Sequence, residues 1–391
     1  MKRLTVVGRG TVGCLAVSHF IRWTDWEINW VHDPVIQPTA VGEGTTLVFP
    51  RSLAQNVDFD STDMLAIGAT PKLGIWKRGW GNGTEFYHSF PSGLTGMHFN
   101  AVQFQHHMFN KLTQNRRITV IESNETDYEN LDSDYVMVCT GSPTTLTDEY
   151  IIKDRIPVNS CVVFQCPWDN PRFNHSMTFA RQHGWVFGIP LKNRCSIGYL
   201  YNKDLATSDM IKDDIADLLT EFNLTPESTR ELSFNNYARV TNFTDKVCYN
   251  GNASFFLEPL EATSTSLADD IIRISYDVWA GISNPKRANA TYHSSLSEIE
   301  SMICLHYFSG SEYDTKFWEY ARQLTEVKIS EDFLQKTPIA FIIKHSLYQL
   351  DDFHTPFSRD VGTWASRSFN KNIHGFGIAD KLIEMIRRHG I

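Results

Sequence analysis

Gly8-Arg9-Gly10-Thr11-Val12-Gly13 has the spacing G-x-G-x-x-G, and it stands where that spacing has chemical meaning. Residues 4–7 before it (LTVV) are a short β-branched apolar run, which reads as a buried strand. The apolar stretch after it reads as a helix. Gly8 allows the tight turn, Gly10 lets the backbone approach a pyrophosphate, and Gly13 lets the helix pack closely on the strand. The helix N-terminus, from Thr11 and Val12 onward, turns N–H groups and the positive end of its dipole to the phosphates. The chemistry on offer is capture of a dinucleotide; the bland alternative is a glycine-rich turn with no ligand. Ala40-Val41-Gly42-Glu43-Gly44-Thr45 is a second candidate. Gly42 and Gly44 flank a carboxylate, as in a loop that approaches a ligand closely, or in an ordinary turn.

These residues need a βαβ frame. Residues 27–31 (EINWV) read as its second strand. In dinucleotide-binding folds an acid at the end of that strand takes the ribose hydroxyls. Here the expected position holds His32, and Asp33 comes one step late. Either Asp33 reaches the ribose through a small shift, or the ribose is held otherwise. Residues 118–121 and 135–138 read as further strands, and 103–112, 208–222, 267–282, 294–307, 314–324 and 381–389 as helices. His106 and His107, adjacent on a helix, point in different directions and make a poor metal pair. Between about 156 and 204 the period changes to short aromatic and β-branched runs broken by turn residues, which is the pattern of an antiparallel sheet. The expected architecture is α/β. A Rossmann-type parallel sheet holds the dinucleotide over residues 1–290, with an antiparallel sheet inserted at about 156–204. A mostly helical substrate-side region follows at 291–391.

Composition narrows the function classes. A chain of 391 residues can bury a large core. Its net charge of −9, with no basic run, argues against nucleic acid or an anionic membrane surface as the main partner. No stretch is long and apolar enough to span a bilayer. The 7 cysteines are odd in number and scattered, with no C-x-x-C pair, so neither a disulfide framework nor a zinc site is expected and a reducing cytoplasm fits best.

Three further stretches belong with the opening motif: Thr70-Pro71-Lys72-Leu73-Gly74-Ile75-Trp76, then Gly184-Trp185-Val186-Phe187-Gly188-Ile189-Pro190-Leu191, then Phe256-Leu257-Glu258-Pro259-Leu260-Glu261-Ala262-Thr263-Ser264. Together with AVGEGT at 40–45, His306-Tyr307 and Phe317-Trp318, they resemble the flavin-dependent halogenases of the tryptophan halogenase type. The resemblance runs from Leu4 to about Arg322, and E-P-L-E-x-T is its most specific block. The departures are Phe187 for the second tryptophan of W-x-W-x-I-P, Ser264 and Phe255 for two glycines around the E-P-L-E block, the displaced acid at Asp33, and a shorter stretch after Arg322.

The resemblance implies chemistry in which FADH2, oxygen and a halide (chloride, bromide or iodide) give hypohalous acid. That species halogenates an electron-rich aromatic ring beside a lysine. Lys72 fits the amine, which would hydrogen-bond the acid or carry the halogen as a haloamine; its bland alternative is a surface lysine snorkelling past apolar neighbours. Glu261 fits the carboxylate that polarises the halogenating species and accepts the ring proton. Otherwise it is an acid at the start of the next helix. Glu258 shares a helical face with it only if Pro259 does not impose a loop. Thr263 and Ser264 fit a halide site made of backbone N–H groups before a helix. The FAD set is Gly8, Gly10, Thr11, Val12, Gly13, Asp33, Ile36, Gly42, Gly44, Asn252 and Thr265. Trp185 and Phe187 either screen the flavin or pack the sheet. A separate flavin reductase is the implied protein partner, a small aromatic the substrate, and oligomerisation is left open. A site without a long lid is expected to accept several rings, with Trp76, Trp80 and Trp279 available to stack on them. The rival readings are a single-component FAD monooxygenase or epoxidase and a non-catalytic flavin-binding protein.

Overall fold

β1 (Arg3–Val7) is buried from Leu4 onward, as expected of a strand covered on both faces. The computed structural model describes residues 1–36, 42–348, 364 and 366–390; Ala40 and Val41 of the second glycine loop lie outside them. The chain continues through α1 (Thr11–Trp23), β2 (Glu27–His32), β3 (Gly42–Gly44), α2 (Val48–Val57), α3 (Ser61–Ala66) and β4 (Thr70–Lys72). β5 (Gly74–Arg78), β6 (Phe86–Ser89), β7 (Gly96–Asn100), α4 (Ala101–Leu112), β8 (Ile118–Glu122), β9 (Tyr135–Val138) and β10 (Tyr150–Ile152) follow. Then come β11 (Ser160–Pro167), β12 (Ser176–Arg181), β13 (Gly184–Pro190), β14 (Arg194–Tyr201), α5 (Ser208–Glu221) and β15 (Ser228–Ser233). β16 (Tyr237–Arg239), β17 (Val247–Tyr249), β18 (Phe255–Phe256) and α6 (Ser264–Trp279) lead to the last helices. These are α7 (Pro285–Ser309), α8 (Lys316–Leu334), α9 (Pro338–Tyr348), α10 (Ser366–Phe376) and α11 (Ala379–His389).

The chain divides into two compact units. The first comprises Met1–Pro71, Gly96–Ile152 and Tyr237–Ser294. It holds a five-stranded sheet in the order β17-β9-β1-β2-β8, in which every pairing is parallel. The register sets Val7 opposite both Val31 and Val138, so the C-terminal ends of the three central strands finish level. Such ends are where open α/β sheets bind ligands. α1 packs on α2, α4 and α6, while Val7, Val31, Val136, Val138, Val247 and Ala253 form one core beneath the strand ends.

The second unit comprises Lys72–Thr95, Lys153–Asn236 and Ser295–Ile391. Its sheet is wider than the sequence pattern shows, with seven strands in the order β15-β11-β14-β13-β12-β5-β6. β5 and β6 come from before residue 156 and β15 from after residue 204, and β5 joins β12 in parallel. The antiparallel segment thus groups with the helical tail, where the sequence reading inserts it into the first unit. α5 packs Ile211, Ile215 and Leu218 into the core of this sheet. α6 and α7 start three or more residues ahead of expectation. α6 begins at Ser264, ahead of residue 267, and α7 begins at Pro285, ahead of residue 294. Proline suits the first turn of a helix, where its missing N–H has no partner to lose.

Candidate active site

The glycine turn is built by close contacts. Gly8 has φ +114°, and a β-carbon there would lie 2.2 Å from the carbonyl oxygen of Cys139. A β-carbon on Gly13 would lie 2.2 Å from the carbonyl oxygen of Gly8, so α1 enters against the turn itself. Gly10 is different: a β-carbon there would meet nothing within 4 Å. Its requirement for glycine comes from the room it leaves and not from packing. Gly10 is also the N-cap of α1, without a side-chain cap, and α1 has no acid in its first turn. The helix therefore opens with backbone N–H groups turned to that room.

The neighbours of this turn come from distant parts of the first unit. A β-carbon on Gly251 would lie 3.0 Å from a γ-carbon of Val12, which places the Asn252 turn on the start of α1. Asn250 donates from Nδ2 to the carbonyl of Ala268 at 3.0 Å and fastens the turn to α6. Thr11 donates to Glu43 Oε1 at 3.3 Å and accepts from Gln105 Nε2 at 3.3 Å. Gly42 and Gly44, in β3, are held by pairing with Asn100 and His98 of β7. At the end of β2, His32 is buried against the Phe109 ring, and desolvation together with Arg9 holds it below its ordinary pKa. Asp33 accepts from the N–H of Val35 at 2.8 Å, so the carboxylate closes its own turn. Ile36, three residues on, is exposed.

The E-P-L-E block forms a 3₁₀ turn, Leu260–Ala262, that leads into α6. Glu258 and Glu261 are both buried. Glu261 (φ 67°) and Ala262 (φ 56°) are consecutive non-glycine residues in left-handed backbone, a conformation that costs roughly 1–2 kcal/mol for each. The two acids therefore do not share a helical face, because the turn reverses at Glu261. Ser264 is absent from the positive-φ residues, so the loss of a glycine there strains nothing. α6 starts from Thr263 with no side-chain cap and no acid in its first turn. The buried hydroxyl of Thr265, the second residue of α6, has no hydrogen-bond partner among the described residues.

Lys72 opens the second unit and is almost fully buried, with 1% of its surface exposed. Its Nζ lies 5.8 Å from the Phe90 ring centre. The snorkelling alternative is thereby removed. The chain leaves it through Gly74 (φ +146°), where a β-carbon would fall 2.4 Å from the carbonyl oxygen of His88. Backbone bonds from Leu73 to Asn174 and from Phe90 to Leu73, each 2.8 Å, fix the segment. Lys72 helps to hold the nearby His175 below its ordinary pKa, after desolvation and Lys371.

The aromatic residues expected to stack on a substrate are used in packing instead. Trp80 is fully buried, donates to the carbonyl of Thr178 at 3.0 Å, and contacts Trp185, His306 and Trp318. Trp279 is stacked on Tyr135, and Trp76 is enclosed by Tyr87, Phe173, Phe179 and Phe222. Trp185 is buried, and the Phe187 ring fills the space over Gly198, so both serve the sheet. One pair escaped sequence reasoning. Lys77 Nζ sits 2.6 Å from His306 Nε2, both residues fully buried, with the ammonium 5.1 Å from the ring centres of Trp364 and Phe376. Its only signal was a lysine among the apolar residues of 73–80.

A parallel sheet ending in a glycine turn, in a chain that also carries a second sheet-based unit, has the α/β pattern of dinucleotide-binding folds. A model of the tryptophan halogenase family matches residues 3–131 and 111–385. The chain belongs to the tryptophan halogenase family, a family of enzymes. A tryptophan 6-halogenase of Streptomyces toxytricini (SttH) is 24% identical over 212 residues, which cover 49% of this chain and 39% of that protein. The tryptophan halogenase of Shewanella frigidimarina NCIMB 400 superposes with a TM-score of 0.76 at 17% identity, over 100% of this chain and 94% of that one. A flavin-dependent halogenase from Xanthomonas campestris (Xcc4156) does so with a TM-score of 0.77 at 19% identity, over 100% and 95% of the two chains. Among the described residues, no helix is long and apolar enough to cross a membrane.

Proposed function

We propose that this enzyme is a flavin-dependent halogenase acting on small electron-rich aromatic compounds, with FAD delivered in reduced form by a separate reductase. The observation that carries the reading is the turn at Glu261. A buried carboxylate, a strained two-residue reversal and an uncapped helix N-terminus follow one another within four residues, which joins a proton acceptor to an anion site. The room at Gly10, the uncapped start of α1 and the unpartnered Thr265 hydroxyl fit a dinucleotide.

When bound, reduced flavin with oxygen supplies the oxidising equivalents that turn halide into hypohalous acid. The backbone N–H groups of Thr263 and Ser264 hold the halide. The Lys72 amine donates a hydrogen bond to the hypohalous acid, or exchanges a proton for the halogen and carries it as a haloamine. Burial keeps water from competing for that species. The ring attacks the halogen. From hypohalous acid the hydroxide leaves as water by taking a proton from the Lys72 ammonium; from the haloamine the Lys72 nitrogen leaves and regains a proton. Glu261 accepts the proton that the cationic ring loses and returns it to Lys72. Mass spectrometry of products from a panel of indoles and phenols, with reductase, NADH, FAD and each halide, tests the reading. Halogenated products support it. Oxygenated products formed with NADPH and no reductase would replace it with a single-component monooxygenase.

A further inference from the structure

Glu43 has no task in the chemistry above, yet the fold carries its carboxyl to the start of α1. β3 is fixed on β7 by the register Gly42–Asn100, Glu43–Phe99 and Gly44–His98. From there the Glu43 Oε1 accepts from the hydroxyl of Thr11, the first residue of α1, and Thr11 in turn accepts from Gln105 of α4. α1 has no side-chain cap and no acid of its own in the first turn. The chain of three side chains thus places a carboxyl from another strand beside the helix end that follows Gly10. On the flavin reading, two anions then meet at one helix N-terminus: this carboxylate and the dinucleotide's diphosphate.

We propose that Glu43 is a proton-linked gate on FAD binding: the diphosphate is accepted while Glu43 carries a proton and is resisted once Glu43 is ionised. Neutral, the carboxyl keeps its bond to Thr11 and adds no charge. Ionised, it stands as a like charge beside the diphosphate, and like charges at short range cannot both be held cheaply. Desolvation already pushes Glu43 up to about 7, opposed by the Thr11 hydrogen bond. The neighbouring elements carry further charged and titratable groups. The glycine turn contributes Arg9, which stacks on Phe109. β7 contributes His98, beside Thr70. On α4, His107 and Lys111 are both committed to Asp63, at 2.6 and 2.7 Å. β2 ends in His32, which desolvation and Arg9 hold below its ordinary value. Binding must therefore take up a proton near neutral pH.

The test measures the FAD dissociation constant of the apoprotein between pH 6 and pH 9 by flavin fluorescence, for the wild-type chain and for Glu43→Gln. The wild-type constant should rise about tenfold per pH unit above 7, while Glu43→Gln stays flat near the wild-type value at pH 6. Calorimetry of the wild-type protein at pH 7.5, in two buffers of different ionisation enthalpy, reads the proton directly and does not depend on the variant. Uptake approaching one proton supports the proposal. Parallel pH profiles for the two proteins, or no proton uptake, overturn it while leaving flavin binding intact. Failure of both proteins to bind FAD even at pH 6 overturns the flavin reading and this proposal with it.

Discussion

Glu261 and Ala262 stand side by side in left-handed backbone, at φ 67° and 56°, immediately ahead of the residues that start α6. Neither is glycine, so the reversal is held against the preference of its own residues. Ala262→Gly should therefore raise stability by up to about 1 kcal/mol in urea unfolding, because glycine adopts this conformation without steric cost. Ala268→Gly, in the interior of α6, should lower it by about 1 kcal/mol. Equal losses at the two sites would show that Ala262 carries no strain.

Gly10 and Gly13 separate ligand binding from folding. Gly10→Val adds atoms where no contact exists within 4 Å, so stability should change only by the poorer N-cap, about 1 kcal/mol, while FAD affinity falls sharply. Gly13→Ala forces its β-carbon onto the carbonyl of Gly8 and should cost about 1–3 kcal/mol in urea unfolding. Unchanged flavin affinity in Gly10→Val would remove the turn from the cofactor site.

Lys77 and His306 form a directional pair. The His306 Nδ1 lies 2.9 Å from the carbonyl of Met302 and donates to it, which leaves Nε2 to accept from the Lys77 ammonium. His306→Leu takes that acceptor from a buried cation and should destabilise by about 2–3 kcal/mol. Lys77→Met removes the charge with a side chain of similar length and should cost less. Urea midpoints in the reverse order would contradict this reading of the pair.

Two titratable groups tilt stability with pH in opposite directions. His19 is lowered to about 4 by desolvation, partly offset by Asp269, so its contribution is fully present above about 6.5 and is lost as pH falls toward 4. The loss reaches about 3 kcal/mol, and His19→Leu should abolish it. Glu43 is raised to about 7, so the apoprotein is most favoured below about 4.5 and loses stability as pH rises to 7, again by about 3 kcal/mol. Glu43→Gln apoprotein should match the wild-type chain at pH 4.5 and exceed it at pH 8 in thermal unfolding. A variant that tracks the wild type at both pH values would place the Glu43 carboxyl in water.

The parallel sheet was legible because its strands are continuous apolar runs and its turn is marked by glycines at fixed spacing. The second sheet was legible only in its centre. β5 and β6 carry Lys77, Arg78 and His88 among their apolar residues, which breaks alternation, and β12, the strand that joins β5 to the rest of the sheet, lies about a hundred residues further along the chain. Lys72 and Glu261 were singled out through motif order. The apolar neighbours of Lys72 suggested partial burial, but its near-complete burial was not legible, since nothing local in P-K-L-G fixes exposure. The packing of Trp80 and Trp279 against other rings was hidden for a related reason: a tryptophan in sequence does not declare whether its ring faces a ligand or other rings.

Delivery of the halogen by Lys72 is tested most directly by one measurement. The wild-type enzyme and Lys72→Ala are each supplied with reductase, NADH, FAD, bromide and an activated phenol or indole, and the products are weighed by mass spectrometry. The wild-type enzyme should give the monobrominated ring. Lys72→Ala should lose that product by about a hundredfold or more, while flavin reoxidation and hypohalous acid release continue. A Lys72→Ala enzyme that keeps most of the wild-type yield would show that the amine is not the group that delivers the halogen.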